Sequence, residues 1–267
     1  MKRREFVKTS LAAAALAGLH QTVSKAKAAE TASGSAQEFY ELRVYHLKDA
    51  ANQKLLDGYL EKAAIPALNR LGAKPVGAFT EIEAKGGPAV FVLIPHGSPS
   101  AFASTVAKLP LDEEYLKAGA DYLGVGKANP AFDRIDSWLM LAFSGMPKLE
   151  LPSYCKEKKP RVFEMRTYES YSEAKALKKV QMFNSGEIET MKEVGLGPIF
   201  YGQALIGRDL PHLTYMLSGE TQEAHKKHFA DFVKHPTWNK LKNDPQYADT
   251  VSKITSRFLT PTAYSQI

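Results

Sequence analysis

Apolar and polar positions alternate along two segments that are separated by 123 residues. Residues 39–45 (FYELRVY) and 162–168 (VFEMRTY) share this alternation, which is typical of a β-strand with two different faces. The same offset places Gly72 over Gly195 and Pro75 over Pro198, and it aligns the apolar runs 90–94 and 213–217. Because all these matches keep one register, the chain is predicted to contain two copies of one unit.

Each copy shows the order strand, helix, strand, strand, helix, strand. The first copy predicts strands at 39–46, 75–82, 89–94 and 132–143, with helices at 56–71, 98–108 and 112–122. The second predicts strands at 161–168, 198–206, 212–218 and 251–260, with helices at 173–193, 221–234 and 237–243. Pro66 should interrupt its helix. The expected fold is α+β, with two tandem ferredoxin-like units.

The boundaries follow from these elements. Repeat 1 is expected at 38–147 and repeat 2 at 161–264, joined by a proline- and lysine-rich linker at 148–160 that contains Cys155. We interpret this cysteine as incidental. An isolated unit would leave one apolar sheet face uncovered, so we expect the two units to pack sheet to sheet within the chain. Self-association of whole chains stays open.

The first 28 residues are typical of an export signal. Arg3 and Arg4 precede Phe6 as in the twin-arginine consensus, a short apolar run follows at 11–19, and residues 26–28 read Ala-Lys-Ala. That run is shorter than the ~20 residues that cross a bilayer. We expect recognition by the twin-arginine export machinery, cleavage near Ala28, a flexible spacer at 29–37 and a periplasmic or otherwise exported product.

The charge of the chain resides mostly in this leader. The whole sequence has 35 basic and 29 acidic residues, of which residues 1–28 hold six and one, leaving 29 and 28. A nearly neutral remainder gives no support for nucleic-acid binding. No later run of 18 apolar residues occurs, so we do not expect an integral membrane protein.

Strand alternation sorts the repeated motif into two faces. The apolar set at 40, 42, 44 and its counterpart at 163, 165, 167 are expected beneath the helices. The other face carries a row of polar side chains, expected to border the space between the sheets. The row consists of Glu41, Arg43, Tyr45, Glu164, Arg166 and Tyr168.

Two interpretations of this row stay open. In the first, it binds a small ligand, with arginine anchoring an anion or carbonyl, glutamate as base and tyrosine as donor. In the second, the Glu–Arg pairs are structural and fix the register between the halves. The structural interpretation is favoured because both copies keep the row, whereas an active site usually needs only one.

Histidines offer little for a metal. His225 and His228 are three residues apart on a predicted helix, but no third ligand is apparent, so they are weak candidates and no metal is expected. His96 and His212 flank strands and are expected to be exposed. Nucleotide, phosphate and covalent-haem motifs do not occur in the sequence, and no cofactor is predicted.

The chain resembles the NIPSNAP family. The strands ending at Tyr45 and Tyr168, Pro66 before Gly72, and His235-Pro236-x-Trp238 carry this resemblance, whereas residues 108–111 (KLPL) depart from the last motif in repeat 1. The resemblance implies a dimeric α/β barrel closed within one chain, and the family has no settled biochemical activity.

Three functions are therefore compatible with the sequence. The favoured hypothesis is a binding protein of unassigned activity that holds a small ligand in the inter-sheet cavity. The alternative is a cofactor-independent enzyme, monooxygenase- or isomerase-like, acting on a small organic substrate, and this rests on fold analogy. A third is non-covalent haem binding through one histidine. Whether the chain is an enzyme stays open.

Overall fold

A computed structural model of the chain describes residues 36–84 and 86–267. The predicted export leader at 1–28 and the spacer up to residue 35 lie outside the described residues. No helix among the described residues combines the length and the apolar character needed to cross a membrane.

Eight strands in the described part of the chain form one closed antiparallel barrel. Their order around the barrel is β1-β3-β2-β8-β5-β7-β6-β4, which returns to β1. Each repeat supplies four adjacent strands in the ferredoxin-like order, so the predicted fold class is confirmed. The strands are β1 Phe39–His46, β2 Gly77–Glu81, β3 Ala89–His96, β4 Arg134–Ala142, β5 Val162–Glu169, β6 Gly197–Ile206, β7 His212–Gly219 and β8 Lys253–Pro261.

The two repeats join through the edges of their sheets. Strand β2 pairs with β8 around Thr80 and Thr260, and β4 pairs with β6 around Leu141 and Gln203. Each repeat thereby covers both edge strands of the other, which would otherwise present unpaired backbone groups. The interior of the barrel is consequently built by both copies.

The helices pack around the outside of the barrel. They are α1 Ala50–Tyr59, α2 Ile65–Arg70, α3 Pro99–Lys108, α4 Glu113–Ala118, α5 Ala120–Leu123, α6 Ser153–Lys156, α7 Glu173–Met182, α8 Ile188–Glu193, α9 Gln222–Lys234 and α10 Pro236–Lys242. Each long predicted helix is split by a π-turn, at Leu60–Ala64 and at Phe183–Glu187. Pro66 lies in the first turn of α2, as expected. Its counterpart in repeat 2 is Glu189, and the helix is interrupted there as well, so the proline is not the sole cause of the interruption.

The face assignment predicted for β1 and β5 is wrong. Tyr40, Leu42 and Val44 lie inside the barrel, in one core cluster with Phe163 and Met165. Tyr45 and Tyr168 instead belong to the two clusters between the barrel and the helices. Both faces of these strands are buried, so alternation alone does not reveal which face borders the interior.

One end of the barrel is closed by the linker and by the last residues of the chain. Cys155 of α6 and Ile267 are fully buried in the interior cluster. The hydroxyl of Tyr154 is 2.8 Å from Ser218 Oγ, and an Arg161 guanidinium nitrogen donates to the Ile267 carbonyl oxygen at 2.8 Å. In the described part of the chain, the interior opens at the opposite end.

Candidate functional site

A cavity of about 500 Å³ occupies the open end of the barrel. Interiors of eight-stranded barrels are either filled by side chains or just wide enough for one small ligand. Strands of both repeats and the β2–β3 and β6–β7 hairpins border this cavity. Its lining comprises Leu42, Val44, His46, Glu81, Gly86, Gly87, Ala89, Phe91, Arg134, Asp136, Trp138, Met165, Thr167, Glu169, Arg208, Asp209, His212, Thr214, Lys253, Thr255 and Arg257.

Asp136 of β4 is the most densely bonded side chain at the mouth of the cavity. Its carboxylate accepts from Arg134 Nε at 2.9 Å and from an Arg208 guanidinium nitrogen at 3.0 Å, and it lies 2.9 Å from His46 Nε2. Burial would raise the pKa of this carboxyl, but hydrogen bonds from Arg134, Arg208 and His46 outweigh it and lower the pKa to about 2. Asp136 is therefore ionised at neutral pH.

The same contacts attach the β6–β7 hairpin to the barrel wall. Arg208 lies in the turn between the two strands, and its backbone carbonyl accepts a hydrogen bond from Trp138 Nε1 at 3.1 Å. Trp138 also lies edge-on to His212, with ring centroids 6.4 Å apart. The mouth is thus built from residues of both repeats that lie far apart in the sequence.

Two further ion pairs flank the cavity. Arg257 donates to both carboxylate oxygens of Glu81, at 3.0 and 2.9 Å, and this contact links β8 of repeat 2 to β2 of repeat 1. Lys253 Nζ donates to Glu169 Oε1 at 2.7 Å. Most of the charged residues of the rim are therefore engaged with one another.

Below this rim lie neutral polar groups. Thr167 Oγ1 and Thr214 Oγ1 are 2.8 Å apart across β5 and β7, and Thr214 Oγ1 is 3.5 Å from His212 Nδ1. His212 is 4% exposed, so the expectation that it is exposed is wrong. Burial lowers its pKa below the ordinary value of a histidine, which favours the neutral imidazole.

The predicted polar row of repeat 1 lies outside the cavity, between the barrel and the helices. Arg43 donates two hydrogen bonds to the carboxylate of Glu41, and Ser137 donates to the same carboxylate at 3.3 Å. His96 Nε2 is 3.7 Å from Glu41 and is buried, contrary to the prediction that it is exposed. Burial would raise the pKa of Glu41, but His96 and Arg43 lower it below its ordinary value.

In repeat 2 the row makes a denser set of contacts. Glu164 accepts from Arg166 and Ser256, and its Oε2 is 2.8 Å from His225 Nε2. Burial opposes ionisation of Glu164, yet His225 and Arg166 together hold its pKa at about 2. Arg166 Nε also donates to the Tyr168 hydroxyl at 3.2 Å. Each glutamate is bonded within its own repeat, so the rows link elements of one repeat and do not fix the register between the two halves.

The two weak metal candidates do not converge. His225 points at Glu164, whereas the ring of His228 packs against Gly195, about 3.1 Å from where a β-carbon would lie. No group of three or more potential metal ligands occurs among the described residues.

Sequence reasoning missed the cavity residues because it assigned the interior to the wrong strand face. His46, the last residue of β1, lines the cavity. Asp136 and Trp138 alternate along β4, and that spacing shows that they share a face. The pairing of Leu42 with Trp138 shows that this face borders the barrel interior. The sequence alone does not give the register between strands that are distant along the chain.

Comparison with known proteins agrees with this architecture. Residues 163–266, which cover nearly all of repeat 2, match the sequence model of the NIPSNAP family. No curated protein matches the chain.

Similar solved structures share the fold at low sequence identity. A protein from Lactobacillus acidophilus NCFM that is proposed to be a monooxygenase has a TM-score of 0.57, with 9% identity over 84% of this chain and 94% of that chain. Another such protein, from Fusobacterium nucleatum subsp. nucleatum ATCC 25586, has a TM-score of 0.53, with 9% identity over 85% and 93%. An anthrone oxidase-like protein has a TM-score of 0.51, with 11% identity over 86% and 94%. These similarities indicate the dimeric α/β-barrel fold.

Proposed function

We propose that this NIPSNAP-like chain binds a small organic ligand inside the barrel, at the open end. The cavity itself carries this proposal, because about 500 Å³ is far more than a packing defect and lies within the range of ligand pockets. Its inner part is bordered by apolar side chains such as Phe91 and Met165, and its rim carries convergent polar groups. Apolar depth with a few fixed polar groups is typical of small-molecule sites.

Filling the cavity should abolish ligand binding. Ala89 lies on the lining, half-buried at the start of β3, so Ala89→Trp would place an indole in the open volume. We expect Ala89→Trp to weaken binding of the uncharged fluorophore 1-aminoanthracene at least about tenfold, which corresponds to losing ~1.4 kcal/mol. Occupancy is reported by the change in the probe's own fluorescence on binding, which is read in the same way for the parent and for each variant.

The matched control is Val106→Trp, which adds the same indole on the exposed surface of α3, where Val106 is 52% exposed. This control should bind the probe like the parent. Equal binding by Ala89→Trp and the parent, with both folded by circular dichroism, would show that the probe does not use the barrel and would contradict the proposal.

A second candidate is a cofactor-independent enzyme acting on a small organic substrate. The observation that favours it is His212, a buried histidine with a lowered pKa that borders the cavity beside Thr214 and Trp138. A neutral imidazole of this kind can accept a proton from a bound substrate. Three structures with this fold are described as monooxygenases or as anthrone oxidase-like, which motivates an assay for oxidation or isomerisation.

We further propose that the leader exports the protein through the twin-arginine route. The paired Arg3 and Arg4 before Phe6 support this proposal. The double variant Arg3→Lys/Arg4→Lys should accumulate uncut in the cytoplasm of a bacterial host, whereas the parent is cut and periplasmic, as judged by fractionation and mass spectrometry. Unchanged periplasmic accumulation of the variant would instead indicate the general secretory route.

A further inference from the structure

The duplication places equivalent strands on opposite sides of the cavity. In the barrel order, β1 lies four strands from β5, β3 four strands from β7, and β4 four strands from β8. Strands β4, β1 and β3 are neighbours and form one wall, which we call the repeat 1 wall. Strands β8, β5 and β7 form the facing repeat 2 wall. Residues that differ between the copies therefore face opposite sides of a ligand bound in the cavity.

The two walls differ in chemistry at several equivalent positions, although Leu42 and its counterpart Met165 are both apolar. Val44 in repeat 1 corresponds to Thr167 in repeat 2, and Phe91 corresponds to Thr214. Trp138 and Arg257 also correspond, because they pair with the equivalent residues Leu42 and Met165. Below the charged rim, the repeat 1 wall is thus aliphatic and aromatic, while the repeat 2 wall presents hydroxyl groups and the Arg257 guanidinium beside the apolar Met165.

The hydroxyls of the repeat 2 wall retain capacity for a ligand. Thr167 and Thr214 are hydrogen-bonded to each other at 2.8 Å, which uses one of their two hydroxyl hydrogens. The second hydrogen and the remaining lone pairs are available, since the further contact of Thr214 with His212 Nδ1 is at the limiting distance of 3.5 Å. A ligand oxygen at this wall can therefore both accept and donate.

The charged side chains around the cavity argue against an ionic ligand. The lining holds four basic and four acidic side chains, so its formal charge is zero when histidines are neutral. Asp136, Glu81 and Glu169 are each bonded to a basic partner of that lining. A charged ligand would have to compete with these ion pairs, and a ligand charge that is buried without a partner is costly.

We propose that the ligand is an uncharged, flat ring compound with an apolar face or edge on the repeat 1 wall and a hydroxyl or carbonyl group on the repeat 2 wall, near Thr167 and Thr214. This inference rests on the proposed binding of a small ligand in the barrel. It assigns specificity to residue pairs that differ between the copies, above all Val44 and Thr167, whose side chains have nearly the same shape.

The test uses displacement of 1-aminoanthracene from the full-length protein by three probes of one ring system. These are 2-naphthol, its near-isostere 2-methylnaphthalene, and the anion 2-naphthoate. Thr167→Val removes only the hydroxyl, so we expect 2-naphthol to bind about tenfold more weakly and 2-methylnaphthalene to change by less than about twofold. Val44→Thr is the matched change on the repeat 1 wall and should leave the ratio of the two affinities unaltered.

Each other outcome has a definite meaning. Equal weakening of both neutral probes by Thr167→Val would assign this residue to packing and overturn the proposed orientation. Tightest binding by 2-naphthoate would overturn the inference that the ligand is uncharged. If 1-aminoanthracene binding is insensitive to Ala89→Trp, the proposed binding site in the barrel is contradicted, whatever the result for the ligand orientation. The two failures are therefore distinguishable.

Discussion

Replacing Lys179 with leucine is expected to lower the free energy of unfolding by about 3–5 kcal/mol, because it leaves a buried glutamate without its cation. Lys179 Nζ donates to Glu187 Oε2 at 2.8 Å, and the two side chains are only 4% and 1% exposed. The ammonium also lies 4.6 Å from the centroid of the Phe183 ring and 5.2 Å from that of Trp238. Water therefore has little access to hydrogen-bond the Glu187 carboxylate in place of Lys179.

Repeat 1 indicates how this loss can be avoided. The positions equivalent to Lys179 and Glu187 hold Leu56 and Ala64, both buried in the same setting beneath the π-turn. We therefore expect the double variant Lys179→Leu/Glu187→Ala to recover at least half of the loss, since it removes both charges together. Urea denaturation of the parent, the single variant and the double variant provides the comparison.

The pH dependence of the single variant supplies an independent check. Burial raises the pKa of Glu187 above its ordinary value, and Lys179 opposes this rise. Without Lys179 the pKa of the Glu187 carboxyl in the folded protein should rise further, while its pKa in the unfolded chain is unchanged. Stability is then retained at low pH, where Glu187 is protonated, and lost as pH rises through the folded pKa. Equal stability of Lys179→Leu at pH 5 and pH 8 would contradict this account.

Much of the fold could be predicted because the duplication repeats its own signals. The predicted strand at 39–46 has the bounds found for β1, and Gly72 takes the positive φ of +90° expected after a helix. These features depend on local chemistry, namely strand alternation and the freedom of glycine in the left-handed region. The closure of the two sheets into one barrel is implied by the family resemblance, whereas the residue pattern predicts that the apolar faces cover each other and does not predict the edge pairing that is found.

The location of the site could not be predicted in the same way. Glu41 and Leu42 are both buried, at 5% and 4% exposure, because one faces the helices and the other faces the barrel interior. Polarity therefore did not reveal which side borders the cavity. Nor does sequence indicate that Arg208 and Asp136, 72 residues apart, meet at 3.0 Å, because that contact requires the pairing of β4 with β6.

The departures between the copies carry more information on function than the residues they share. The shared row is satisfied internally in each copy, as with Arg43 and Glu41. Cavity positions differ, as with Ala89 and His212. A barrel of two identical halves would have a symmetric cavity, whereas divergence of the lining allows one ligand to be bound in one orientation.

The shared row itself should prove to be a determinant of stability. We expect Arg43→Ala to lower the free energy of unfolding by about 3 kcal/mol, because Glu41 is 7% exposed at its side chain and loses both of its guanidinium hydrogen bonds. Replacing both residues, Glu41→Leu with Arg43→Met, should cost far less.

The matched control for this pair lies on the surface. Arg70 donates to Asp112 at 2.7 Å with a side chain that is 40% exposed, and exposed pairs contribute only about 0–1 kcal/mol. Arg70→Ala should therefore differ from the parent by less than ~1 kcal/mol in urea denaturation. If Arg43→Ala is equally mild, Glu41 is accessible to water and the row is not buried beneath the helices. If Arg43→Ala is severe but the double variant is equally severe, the loss comes from packing rather than from an unpaired charge.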